Sequence, residues 1–204
     1  MTRRTLAVLF VALTVVAVVS ALGYAMPERS LDALERPREA SDRLPANAGL
    51  LDYIDPGSAR EVASFRLASG REHGVFLSRT KDGKQVCLFD TDLATGHQGG
   101  GCNDAGSVFA GRKIQISLGF EGGPSKATVR DVRIIGLAAA DVESVRVELS
   151  DRTTRKVELT VDRAFAWAMP QGDLDRGLEP RAVVAIGPRG KTIDRADTGV
   201  LGGP

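Results

Sequence analysis

The sequence predicts an all-β fold: an antiparallel β-sandwich or barrel-like ectodomain preceded by one N-terminal transmembrane or signal helix. Three observations predict it. Residues 5–26 carry no charge, a run of 22 with Arg3 and Arg4 just before it. From about residue 60, apolar and polar residues alternate with period two. Turn residues separate the alternating runs at short intervals, with no amphipathic helix between them.

The N-terminal run, with Leu6, Phe10, Val16 and Tyr24 along it, is apolar on every face. Residues 6–25 at about 1.5 Å each span roughly 30 Å, the thickness of a bilayer core. With Arg3 and Arg4 as the cytoplasmic charge signal, the positive-inside rule leaves the N-terminus in the cytoplasm and all that follows Met26 outside. An uncleaved anchor and a cleaved secretory signal both fit. The small residues at Val19-Ser20-Ala21 or Gly23-Tyr24-Ala25 would serve cleavage, and a secreted product would follow. Residues 27–59 hold Pro27, Pro37, Pro45 and Pro56 and read as a juxtamembrane spacer. Ser30 can cap a short helix that Pro37 ends. Leu50, Leu51, Tyr53 and Ile54 form a small apolar cluster that would let part of the spacer dock on the domain.

Residues 60–196 form the expected β-rich domain. Strands are expected at 62–68, 74–79, 84–90, 114–118, 128–135, 144–149, 157–161, 165–169 and 182–186. Phe165, Trp167 and Met169 alternate with alanines, the pattern of a strand covered on both faces. Asp82-Gly83 predicts a tight hairpin, and Asp151-Arg152-Thr153 and Gly187-Pro188-Arg189-Gly190 predict further turns. A lobe boundary is possible near 121–125, and residues 197–204 read as a loose tail.

Composition excludes several functions. The chain has 204 residues, with 27 Lys+Arg against 26 Asp+Glu. Removing Arg3 and Arg4 leaves 25 basic and 26 acidic residues after Met26, a net of −1. That balance offers no field for gathering nucleic acid. Two His and two Cys leave few soft metal ligands, and their spacing matches no zinc pattern, so no metal site is expected. The 185–192 stretch imitates a phosphate loop, but only 12 residues follow Thr192, too few and too glycine-rich for the helix such a loop needs. A β-hairpin is the expectation there, and neither a nucleotide nor any other cofactor is expected. Asp90-Thr91-Asp92 reads as a solvated loop lacking the further ligands of a calcium site. Trp167, sharing a face with Phe165 and Met169, reads as core.

Cys87 lies in an expected strand and Cys102 follows the loop-like Gly99-Gly100-Gly101. Outside the cell the two thiols are expected to pair, closing a loop whose constraint is worth about 3 kcal/mol. The catalytic alternative sets Cys87 beside His97 as a thiol enzyme or small secreted hydrolase, with the thiol kept reduced. No other catalytic constellation is present, so no catalytic residue is assigned.

Leu34-Glu35-Arg36-Pro37 and Ala40-Ser41-Asp42-Arg43-Leu44-Pro45 follow the apolar run, and Val86-Cys87-Leu88 precedes the glycine-rich stretch ending at Cys102. This combination, over residues 1–105, resembles uncharacterised membrane-anchored or secreted envelope proteins of high-GC Gram-positive bacteria. Arg outnumbering Lys by 21 to 6 fits such a source. The resemblance implies no activity and carries over no functional residue. The expected function is a non-catalytic extracytoplasmic binding or structural domain. Its partners would be the membrane, through residues 6–25, and a protein or envelope component. An accessory subunit of a membrane complex is the further alternative.

Overall fold

The computed structural model describes residues 29–122 and 129–199. The expected anchor residues Leu6, Phe10, Val16 and Tyr24, and Arg3 and Arg4, lie outside them. Among the described residues no helix is long and apolar enough to cross a membrane.

Eleven strands fold into three antiparallel sheets among the described residues. The first sheet has the order β1 (Arg60–Arg66), β2 (Glu72–Arg79), β3 (Gln85–Asp92) and β4 (Gln98–Asp104). The middle sheet orders β5 (Ile114–Gly122), β6 (Val129–Ala138) and β9 (Ala164–Ala168). The third runs β11 (Thr192–Asp197), β10 (Pro180–Ile186), β7 (Ser144–Leu149) and β8 (Thr154–Val157). One α-helix, α1 (Gln171–Asp175), follows β9.

The middle sheet is covered on both faces, as the alternation in β9 predicts. Val132, Ile134, Phe165 and Trp167 pack with Val145, Val147 and Val183 of the third sheet. Their neighbours Ile135, Leu137 and Ala164 point the other way and pack with Val62, Val75, Leu77 and Leu88 of the first sheet. Period-two geometry forces this division, because successive side chains leave opposite faces of a strand. The edges also meet: β1 lies beside β9 and β4 beside β5, while β11 approaches β5 and β8 approaches β9.

The 27–59 stretch was expected as a spacer with a docking cluster; from Ala33 to Ala59 it lies against the domain. Leu44, Ala48, Ile54 and Ala59 pack with Phe76, Cys87 and Phe89 on the outer face of the first sheet. Of the expected cluster, Ile54 is fully buried and Tyr53 is half exposed. The short helix is a 3-10 helix, Arg29–Glu35, with Leu34 buried. Asp42 anchors the segment: its carboxylate accepts Arg36 Nη1 and Nη2 at 2.8 Å each and the Glu39 and Glu61 backbone amides at 2.7 Å each. The last of these ties the segment to β1.

Other expectations shift at particular residues. The 99–101 glycines belong to strand β4 rather than to a loop. The strand expected at 157–161 ends at Val157, and Val161 is 97% exposed. The 185–192 stretch is the β10–β11 hairpin. The possible lobe boundary near 121–125 lies partly outside the described residues; on either side of it β5 and β6 pair from Ile114↔Ala138 to Gly122↔Val129. Thr198 is tied down through hydrogen bonds to Arg181 and Pro180, and residues 200–204 lie outside the described residues.

Candidate functional site

The first and middle sheets meet through an apolar half and an ionic half. Along β3, Val86 and Leu88 share the inner face with Asp90 and Asp92; along β6, Ile135 and Leu137 share it with Asp131 and Arg133. The same periodicity that buries the aliphatic residues therefore buries the charged ones. Asp90, Asp92, Asp131, Arg133 and His73 of β2 are all buried.

Asp90 is the hub. Its Oδ2 lies 2.7 Å from His73 Nδ1 and 2.7 Å from Arg133 Nε. A carboxylate only accepts, so the His73 tautomer with hydrogen on Nδ1 is the one that donates to Asp90. Arg133 Nε approaches off the line a hydrogen bond needs, and the contact is an ion pair. Arg133 Nη1 reaches Glu121 of β5 at 3.4 Å. Among the described residues His73 Nε2 has no hydrogen-bond partner, and the carboxylate of Asp92 is 3.9 Å away. Phe65 of β1 stacks on the imidazole at 5.2 Å between centroids.

Arg71, in the turn before β2, closes the cluster from outside. It pairs with Glu121, with Asp92 at 3.3 Å and with Asp131 at 3.4 Å, so one guanidinium joins carboxylates from β3, β5 and β6. Burial works against the Asp92 charge. It is outweighed by the Thr95 and Ala94 backbone amides, each donating to Oδ1 at 2.9 Å, and by His73 beside it, so the carboxyl titrates below its ordinary value.

Two glycines make room for Arg133. A Cβ at Gly99 of β4 would lie 2.9 Å from Arg133 Nη2, and one at Gly119 of β5 would lie 2.9 Å from its Cζ. At Gly100 a Cβ would lie 2.3 Å from the Leu88 carbonyl oxygen. The glycine run is thus a strand without side chains, thin enough to let a guanidinium lie beneath it.

Beside this strand an open cleft of about 980 Å³ runs between the 95–100 stretch and the end of β5. Gly99, Gly100 and Phe120 line it together with the polar side chains of Asn47, Thr95 and His97. Arg71 and Glu121 are the members of the ionic cluster that line it. Comparison with known proteins finds no matching family model, no similar curated protein and no similar solved structure.

Cys87 and Cys102 face each other directly across β3 and β4 and form a disulfide, as their setting predicts. It lies on the outer face of the first sheet with Phe76 and Phe89. No free cysteine remains among the described residues. Trp167 is core, 8% exposed. Asp90 and Asp92, expected in a solvated loop, are instead buried strand residues in ion pairs. Arg71, Glu121, Asp131 and Arg133 were not singled out by the sequence. The available signal was a charged pair continuing an apolar period-two face, visible in both β3 and β6.

Proposed function

We propose that this chain is a non-catalytic extracytoplasmic binding domain, tethered to the membrane through residues 6–25 or secreted if that segment is cleaved. The three sheets, meeting edge to edge around shared β5, β6 and β9, are read as a barrel-like ectodomain. Its partner is a protein or an envelope component received at the cleft beside Gly99 and Gly100.

The observation that carries the reading is how the seven ionisable residues of the cluster are arranged. His73 and Arg133 are sealed and paired with the buried Asp90, and the equally buried Asp92 and Asp131 pair with Arg71. A general base must come within hydrogen-bond reach of the proton it takes, and a fully buried His73 reaches no substrate. A buried network of this kind holds two sheets in one register, and the open cleft beside it is left for binding. The disulfide suits an oxidising compartment, which agrees with the uncharged N-terminal run.

Fractionation of cells expressing the full chain tests this reading. The protein is expected with the membrane or in the medium, with residues 60–196 open to protease added from outside; recovery from the cytosol would overturn it. The thiol-enzyme alternative at Cys87 and His97 needs the disulfide opened. Titration of native protein is expected to give no reactive thiol, and a fast-reacting one would favour the enzyme.

A further inference from the structure

We infer that the cleft between β4 and β5 takes a neutral saccharide; this rests on the binding-domain reading above and names its ligand class. The lining decides the class by its chemistry. Phe120 offers exposed aromatic surface (37% exposed), and Gly99 and Gly100 add backbone without side chains to the same lining. A flat ring with apolar C–H faces and polar edges suits a lining of this kind. Aromatic contact covers its faces, and hydroxyls meet the Asn47 amide oxygen and the His97 imidazole, the Asn47 nitrogen already donating to the Thr95 carbonyl and the Thr95 hydroxyl already accepting the His97 amide.

The other classes fit less well. An anion would need a free cation, but Arg71 is already shared among Glu121, Asp92 and Asp131. A cation in the cleft would meet that same Arg71 guanidinium in its lining. A lipid or other apolar ligand would find only Leu50 and Phe120 among the described lining side chains to cover it. No group of three or more His, Cys, Asp or Glu among the described residues is placed to hold a metal ion. An uncharged, polyhydroxylated ring remains.

The test uses the detergent-solubilised full chain with chitotetraose and maltotetraose as neutral probes, read by saturation-transfer NMR on the sugar protons. Transfer from at least one probe is expected, with affinity lowered about tenfold in Phe120→Ala and retained in Phe120→Tyr. Near-ultraviolet circular dichroism from buried Trp167 confirms that each variant is folded. Co-sedimentation with purified wall polysaccharide separates the two sources of such a ring: pelleting marks a wall polymer, and binding to soluble probes alone marks a free oligosaccharide.

Absence of transfer from both sugars and of pelleting overturns the inference, as does sugar binding unchanged in folded Phe120→Ala. A tetralysine peptide and inorganic phosphate are run in parallel. If either binds and loses affinity in Phe120→Ala while the sugars do not bind, the saccharide inference fails and the binding-cleft reading stands. If no probe and no wall fraction binds, both fail.

Discussion

Arg133 is a guanidinium buried between two sheets, with Asp90 at 2.7 Å on one side and glycines at 99 and 119 leaving the space it fills. Replacing it with leucine keeps much of the volume and removes the charge that faces Asp90 and Glu121. Breaking a buried pair by deleting one partner leaves the other charge uncompensated. Arg133→Leu is therefore expected to lower unfolding free energy by about 3–5 kcal/mol, measured by urea denaturation. Unchanged stability would mean that the ionic half of the interface contributes nothing. Gly99→Ala should destabilise through the same site, because its Cβ collides with the Arg133 guanidinium rather than with open space. Gly101→Ala, with nothing near its Cβ, serves as the control. The cysteine pair was readable from the chain because its chemistry is local: two thiols, a strand and the oxidising compartment that the N-terminal run leads one to expect. The Arg133 cluster was not, because each member is an ordinary surface residue type. Only the pairing of one sheet over another shows that Asp90 and Arg133 meet.

Strand β4 is an element that local propensity argues against, since three successive glycines weaken a strand. It forms because β3 supplies a partner at every position from Gln85↔Asp104 to Thr91↔Gln98, with the Cys87–Cys102 disulfide across the pair. Reduction is expected to lower stability by about 3 kcal/mol in the chain-entropy description, measured by chemical denaturation with and without reductant. An unchanged midpoint would show that strand pairing alone defines the hairpin. The same logic in reverse explains β8. Val157, Leu159 and Val161 alternate well, but pairing with β7 ends at Val145↔Val157, and Val161 is left in solvent. Alternation signals a face to be covered, and the cover lies elsewhere in the chain. Along the N-terminal segment, the prolines and the charges suggested a spacer, whereas Asp42 and the 44–59 apolar residues hold it against the first sheet. Asp42→Asn removes the charge that Arg36 pairs with. It is expected to speed amide hydrogen exchange across residues 33–59 well before it affects β6. Equal protection in both variants would place the anchoring elsewhere.

At the scale of the molecule, acid stability follows from carboxylates that several elements share. For Asp42, Asp92 and Asp194, burial opposes the charge but is outweighed by donors: Arg36 for Asp42, the Thr95 and Ala94 amides for Asp92, and Arg112 for Asp194. The Arg155 guanidinium leads the lowering at Asp173. All four titrate below the ordinary 3.8 in the folded state. A lowered folded pKa contributes stability that is present above the unfolded value and lost as pH falls through the folded one. Burial raises Glu61 and Asp162, whose contribution has the opposite sign: greatest in acid and lost as pH rises through their folded values. With the exposed Asp82 and Asp151, which are also lowered, six lowered carboxyls stand against two raised ones among the described residues, so the melting temperature is expected to hold from pH 7 to about 4 and to fall below that. A melting temperature rising into acid would contradict it.

The proposed role puts this β-rich body outside the cytoplasm, held by its disulfide. Intact cells are alkylated rapidly and the extracted chain is read by mass spectrometry without reductant. Cys87 and Cys102 are expected unmodified and disulfide-bonded. Recovery of both residues fully alkylated, without any reducing step, would contradict it.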